Sequence, residues 1–285
     1  MIDISALEES IKVGEDKALN LRPDIEKKII WDNEPSIKTK ISLVFIHGFS
    51  ATRAELSPVI ENIAKELKAN VFFTRLTGHG QDGESLGKAR YEDWLNDTKE
   101  AIKIGEIIGE QIILIGSSTG CSLIHPLLID QMPIKAAIYV SPNFGPISYL
   151  GKLLRVPGAR WFMPLFFGKT HSFKPKNLEH KRCWTTSYPT SALFAVKDSV
   201  VAASNVEHNI INLPVLFWFS DGDRVVSAKA TRKIISRMGE SAHIFNPTLT
   251  IEDDPSMHGV LGDILSPSQT KNGVSKILEW IKDNN

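Results

Sequence analysis

Short apolar runs alternate with longer amphipathic segments along most of the chain. Five runs are apolar along nearly their whole length, at residues 41–47, 70–75, 111–116, 135–141 and 214–220. Such runs are typical of strands that are buried on both faces of a sheet. Shorter runs at 27–31 (KKIIW) and 243–245 (HIF) predict a leading strand and a further strand late in the chain.

The segments between these runs carry apolar residues at the spacing of a helix. Helical patterns cover residues 55–69, 91–108, 118–129, 228–238 and 274–282. In the first of them Val59, Ile63 and Leu67 fall on one face, which we expect to pack on the sheet. Strands that alternate with helices in this way predict a mostly parallel central sheet flanked by helices, which is the α/β class.

The alternation stops once, between residues 142 and 213. This stretch contains six prolines and ten aromatic side chains, which makes it too long and too aromatic for a loop. It predicts an inserted cap, and the alternative is an irregular part of a single core. We therefore divide the chain into an N-terminal extension at 1–40, a core at 41–141 and 214–285, and a cap at 142–213.

Composition and charge exclude several classes of function. Lysine and arginine number 33, as do aspartate and glutamate, and a formal net charge of zero is not that of a nucleic-acid binder. No run approaches the roughly 18 apolar residues that span a bilayer, and the first residues lack the apolar stretch of a secretory signal. Cys121 and Cys183 are too few for a disulfide framework or a structural zinc site. We expect a cytoplasmic protein without a bound metal.

A candidate nucleophile lies where the run QIILI meets a predicted helix. Residues 116–120 read Gly-Ser-Ser-Thr-Gly and fit the pattern G-x-S-x-G in its strand-to-helix setting. The tight turn needs small residues at both ends and projects the Ser118 hydroxyl above the sheet edge. The positive end of the helix dipole, at the helix N-terminus, then lies beside a developing oxyanion. The alternative is a turn rich in glycine and serine that binds nothing.

A serine hydroxyl needs a base, and the chain contains eight histidines. In the order serine, aspartate, histidine the base follows the last strands, as His258 does in the polar segment DDPSMHGVLGD. His243 falls inside a predicted strand and is expected to be structural. His47 ends the first strong strand and belongs to another part of the site. His79, between two glycines, is more typical of a residue that fixes a loop by hydrogen bonding.

The base in turn needs a carboxylate that fixes its tautomer. Asp221 and Asp223 both follow the run PVLFWFS, just past the carboxyl end of a predicted strand. Ligands bind at that edge in open α/β sheets. By position alone the two aspartates remain alternatives.

Together these motifs resemble the serine α/β-hydrolase family, closest to its bacterial carboxylesterase and monoacylglycerol-lipase-like members. The matching segments are HGF at 47–49, RLTGHG at 75–80, GSSTG at 116–120, the aspartate after the strand, and His258. The resemblance extends from about residue 41 to the C-terminus. It implies the α/β-hydrolase fold with an inserted cap.

The resemblance also separates the two aspartates. In that family the acid lies in a G-x-x-D-x-x-V setting. Here Ser220 replaces the glycine, while Asp223 and Val226 fill the other positions. The resemblance therefore implies Asp223 as the acid and leaves Asp221 as the lesser candidate.

Further site residues follow from the same comparison. The oxyanion hole is expected to consist of the backbone N–H groups of Phe49 and Thr119. The Phe49 ring either lines the acyl pocket or packs in the core. The densest aromatic cluster of the predicted cap is expected to form the wall of the substrate pocket and consists of Trp161, Phe162, Phe166 and Phe167.

The expected activity is hydrolysis of a small carboxylic ester with an apolar acyl group, or of a monoacylglycerol-like ester. The reaction passes through an acyl-enzyme and needs no metal or organic cofactor. The same catalytic groups also suit a peptidase, an amidase or a thioesterase, because the fold does not set the leaving group. A non-catalytic ligand-binding protein on this fold is the alternative from a different class.

Overall fold

The fold is seen in a computed structural model, which describes residues 3–130, 132–146, 156, 158, 159, 162 and 168–284. Its strands are β1 (Lys28–Ile30), β2 (Thr39–Ile46), β3 (Asn70–Phe73), β4 (Gly109–Ser117), β5 (Ile134–Val140), β6 (Thr170–Ser172), β7 (Ser187–Pro189), β8 (Val215–Trp218) and β9 (Ala242–Phe245). Its α-helices over the same residues are α1 (Leu7–Glu15), α2 (Val59–Leu67), α3 (Gly83–Lys88), α4 (Tyr91–Ile108), α5 (Thr119–Ile124), α6 (Leu178–Cys183), α7 (Ala192–Ser204), α8 (Ala228–Met238) and α9 (Pro267–Asp283).

One sheet of seven strands organises the described part of the chain, in the order β1-β3-β2-β4-β5-β8-β9. β1 runs antiparallel to β3, and each of the other neighbouring pairs is parallel. The predicted α/β fold with a mostly parallel sheet is therefore confirmed. Because parallel strands end at the same edge, the loops after β2, β4, β8 and β9 meet there.

Two apolar layers enclose the sheet. Successive residues of a strand point to opposite faces, so Val44 and Ile46 of β2 join one layer, and Leu43 and Phe45 join the other. The first layer packs under α4, α5, α7 and α8, and the second packs under α2 and α9. This burial on both faces explains why the strand sequences are apolar throughout.

Several predicted helix bounds need correction. α2 begins at Val59 rather than at residue 55, because residues 53–58 form turns. α5 ends at Ile124 and continues as a 3₁₀ turn at His125–Leu127, where Pro126 supplies no N–H for an α-helical bond. α9 starts at Pro267, well before the predicted start at 274, with proline in the first turn as helices favour. The helices at 91–108 and 228–238 have the predicted bounds.

The segment predicted as a cap is only partly described. Its strands β6 and β7 form a two-stranded antiparallel sheet, and Ala192, Ala195 and Ala203 of α7 join the same apolar layer as α4 and α5. Phe162 is half-buried and packs against Ala159 and Phe194. The other three predicted pocket residues lie outside the described residues, namely Trp161, Phe166 and Phe167. A cap over Ser118 stays a prediction.

The N-terminal extension, for which the sequence predicted only a strand, also contains α1. The helix ends at Glu15, whose carboxylate accepts hydrogen bonds from Arg75 Nε at 2.7 Å and Nη2 at 2.8 Å. Both residues are buried, each with 7% of its surface exposed. Arg22, further along, donates to the carbonyls of Gly80 and Trp184. The extension is thus attached to the loop after β3 and to the predicted cap.

We predict that the Glu15–Arg75 pair fixes α1 to the core. Glu15→Ala leaves the Arg75 guanidinium buried without its counterion, and loss of one partner of a buried ion pair costs about 3–5 kcal/mol. Urea unfolding should show this decrease in the free energy of unfolding. Glu9→Ala, at an exposed position of the same helix, is the matched control. Equal urea midpoints for the two variants would contradict the prediction.

Candidate active site

Ser118 lies at the turn between β4 and α5 in a left-handed backbone conformation, with φ 48° and ψ −110°. The turn is packed so closely that only glycine fits at either end of the motif. A Cβ on Gly116 would lie 2.8 Å from the Cys121 nitrogen, and one on Gly120 would overlap the Ile46 carbonyl oxygen. This close approach places the Ser118 side chain at the carboxyl edge of the sheet.

A chain of hydrogen bonds connects Ser118, His258 and Asp223. His258 Nδ1 lies 2.7 Å from Asp223 Oδ2, and His258 Nε2 lies 3.1 Å from Ser118 Oγ. An ionised carboxylate can only accept hydrogen bonds, so His258 Nδ1 carries the hydrogen. His258 Nε2 therefore accepts the hydrogen bond from the Ser118 hydroxyl. This tautomer is the one in which an imidazole can take a proton from Ser118.

The two aspartates after β8 have different environments. Asp223 is 4% exposed, and its Oδ1 accepts the backbone N–H groups of Val225 at 2.7 Å and Val226 at 3.0 Å. Asp221 instead faces solvent, where it binds Arg232 Nε at 2.6 Å and Asn246 Nδ2 at 2.7 Å. Of the two candidates, only Asp223 contacts His258.

Asp254 organises the loop that carries His258. Its buried carboxylate accepts the N–H groups of Gly259 at 2.7 Å, Ser256 at 2.9 Å and His258 at 3.3 Å. Lys176, from the predicted cap, forms an ion pair with it. Asp254 is not among the site residues predicted from the sequence. The signal available was the Asp-Pro-Ser sequence, which favours a turn in which a carboxylate caps the following amides.

The loop after β2 is held by a neutral histidine. His47 Nδ1 donates to the Gly48 carbonyl at 2.9 Å, and Nε2 accepts the Leu76 N–H at 3.1 Å. Burial lowers the pKa of His47 to about 4, so the ring stays uncharged at neutral pH and keeps both bonds. The N–H groups of Phe49 and Thr119 donate no hydrogen bond to the rest of the described chain.

The Phe49 ring lies in an aromatic cluster beside this loop. Its centroid is 4.9 Å from that of Tyr188, in the predicted cap, and 5.9 Å from those of Trp94 and His79. His79 is fully buried, and burial lowers its pKa well below the usual value. Its Nδ1 lies 3.3 Å from the Thr77 carbonyl, so His79 belongs to the packing of this cluster.

The described residues contain neither a metal-binding cluster nor a helix that could span a membrane. No group of three or more histidine, cysteine, aspartate or glutamate side chains is arranged to hold a metal ion there. No helix in this part of the chain combines the length and the apolar character needed to cross a lipid bilayer.

Comparison with known proteins gives one family and many similar structures. The family described as the alpha/beta hydrolase family matches residues 43–256. No match was found among curated proteins. A structure from work on the metagenome-derived lipolytic enzymes LipS and LipT has a TM-score of 0.74 at 15% identity, covering 92% of this chain and 99% of that chain.

Two further structures are similar over comparable lengths. The monoacylglycerol lipase of Paleococcus ferrophilus has a TM-score of 0.67 at 16% identity, covering 92% of this chain and 100% of that one. A soluble variant of the monoglyceride lipase of Saccharomyces cerevisiae has a TM-score of 0.62 at 13% identity, covering 92% and 91%. At such low identity these similarities show a shared fold.

We predict that Asp254 keeps the His258 loop in place. Asp254→Ala leaves several buried N–H groups without an acceptor and should lower the free energy of unfolding by roughly 2–4 kcal/mol. The downfield proton signal of His258 Nδ1–H in NMR spectra should also broaden, because the loop loosens. Glu252→Ala, at an exposed position in the same loop, should change neither quantity. A sharp, unshifted signal in Asp254→Ala would contradict this role.

Proposed function

The chain belongs to the alpha/beta hydrolase family, and from this premise we propose that it is a serine hydrolase that cleaves carboxylic esters. The observation that carries the proposal is the hydrogen-bonded chain of Ser118, His258 and Asp223, with contacts of 3.1 Å and 2.7 Å. Nucleophile, base and acid are thus in the order and the geometry that acyl transfer requires.

In the proposed first half-reaction Ser118 Oγ attacks the ester carbonyl carbon. His258 Nε2 takes the hydroxyl proton, and Asp223 stabilises the resulting imidazolium. The carbonyl oxygen becomes an oxyanion that accepts the N–H groups of Phe49 and Thr119. One such donor is typically worth about 2.7–4 kcal/mol of transition-state stabilisation. The tetrahedral intermediate collapses when His258 gives its proton to the departing alcohol.

The second half-reaction releases the acid. A water molecule attacks the acyl-enzyme carbonyl while His258 removes its proton, and the same two N–H groups bind the second oxyanion. Collapse returns the proton to Ser118 Oγ and frees the carboxylic acid. Each proton transfer in this scheme uses His258, so the reaction requires no metal or organic cofactor.

The proposed substrate is an apolar acyl ester or a monoacylglycerol-like ester. The cluster of Phe49 and Tyr188 beside the loop after β2 supports an apolar pocket. The names of the similar structures, which include a monoacylglycerol lipase and a monoglyceride lipase, agree with this class. The proposed wall of the pocket is the aromatic cluster of Trp161, Phe162, Phe166 and Phe167. Amides and thioesters are the alternative substrates.

We predict that Ser118→Ala abolishes turnover, since no other group in the proposed site supplies the nucleophile. The assay is a panel of p-nitrophenyl esters of graded acyl length, together with aminoacyl anilides and acyl-thioesters. A fluorophosphonate probe should label one serine in the wild type and none in the variant. Ser236→Ala, at an exposed position on α8, is the control. Full turnover in Ser118→Ala would refute the proposed function.

We predict opposite effects of amide substitution at the two aspartates after β8. Asp223→Asn removes the acceptor that fixes the His258 tautomer, and kcat should fall by roughly four orders of magnitude. Asp221→Asn breaks a solvent-exposed ion pair with Arg232, so kcat should change by less than about twofold. The measurement is the steady-state kcat of both variants on one ester. The reverse ranking would assign the acid to Asp221.

A further inference from the structure

Glu55 carries a carboxyl group that the proposed reaction does not use. It lies in the turns between β2 and α2, and its Oε2 accepts the Gly48 N–H at 2.6 Å. Gly48 directly precedes Phe49, whose N–H is one of the two proposed oxyanion donors. The carboxyl group therefore holds the first peptide of the loop that supplies that donor.

The same carboxyl group packs beside the nucleophile. A Cβ built on Gly48 would lie 2.9 Å from Glu55 Oε1 and 3.3 Å from Ser118 Cβ. Gly48 is thus enclosed by Glu55 and Ser118, and a larger residue there would displace one of them. Any change in the position of the carboxyl group is transmitted to the peptide that lies against Ser118.

The charge of Glu55 has no cationic lysine or arginine partner within the described residues. Burial raises its pKa, and the Gly48 N–H, the Ser117 hydroxyl and the charge of His258 oppose this shift. The other titratable group that faces it is Cys121, a thiol whose pKa burial raises well above the usual value, with the Glu55 charge adding to that effect. The backbone contact of this carboxyl group is therefore the Gly48 N–H.

We propose that Glu55 is a positioning residue, which fixes the Gly48 backbone, and with it the adjoining Phe49 N–H, for oxyanion binding. This inference rests on the proposed function. A hydrogen bond from an amide to a carboxylate is short and strong, which suits this role.

Three substitutions test this role. Glu55→Gln keeps an oxygen acceptor for the Gly48 N–H. Glu55→Asp carries its carboxylate on a side chain too short to hold Gly48 in the same way. Glu55→Leu removes the acceptor. Glu66→Gln, at an exposed position on α2, is the matched control.

The measurement is kcat and KM on one p-nitrophenyl ester at the pH of highest activity. Glu55→Gln should keep kcat within about threefold of the wild type, because its amide oxygen still accepts the Gly48 N–H.

Glu55→Asp should lower kcat about tenfold, with a smaller change in KM, because the oxyanion donor is misplaced while substrate binding is kept. Glu55→Leu should lower kcat at least as far. Far-UV circular dichroism and stoichiometric fluorophosphonate labelling show which variants are folded. If Glu55→Leu does not fold, the Gln and Asp variants decide.

Two results would overturn the proposal. One is an unchanged kcat in Glu55→Asp, and the other is a kcat in folded Glu55→Gln that falls as far as in Glu55→Asp. These failures differ from failure of the proposed function. In that case the wild type shows no turnover across the substrate panel, and Ser118→Ala labels as the wild type does.

Discussion

The site depends on the close contact between α5 and β2 at Gly120. There is no room for a side chain between this residue and the Ile46 carbonyl, so α5 starts directly against the sheet. The chain reaches that position only through the left-handed conformation of Ser118, which costs of the order of 1–3 kcal/mol. Hydrogen bonds offset the strain, since the Ser118 N–H donates to Val140 and its carbonyl accepts from Cys121 and Asn143.

A second constraint acts on the loops that face Ser118. Three acidic side chains, on three different loops, accept backbone N–H groups: Asp223 those of residues 225 and 226, Asp254 those of residues 256, 258 and 259, and Glu55 that of Gly48. Loops lack the internal hydrogen bonds of helices and strands, and buried amides need acceptors. The carboxylates supply them, and in this way the loops gain a defined shape, which the proposed proton transfer at His258 requires.

The local sequence pattern predicts the strands and the strand-to-helix turn at Ser118. Both are determined by residues that are close together in the sequence. The pattern did not separate Asp221 from Asp223, which follow the same strand, and only the resemblance favoured Asp223. Their difference arises from partners that the pattern does not contain: two amides for Asp223 and the Arg232 side chain for Asp221. The pairing of Glu15 with Arg75 was missed for the same reason, as 60 positions separate the two residues.

Several contacts attach the described part of the predicted cap to the core and to the loops around Ser118. Lys176 is paired with Asp254 on the His258 loop, and the Thr185 N–H donates to the Ser50 carbonyl on the loop after β2. Arg22 donates to the Trp184 carbonyl, and α7 is packed into the sheet layer. The described part of a segment tied in this way to both loops cannot swing as a rigid lid without disturbing the groups around Ser118. Under the proposed function, this part therefore contributes to selection between acyl chains through the shape of a fixed wall and not by closing over the substrate.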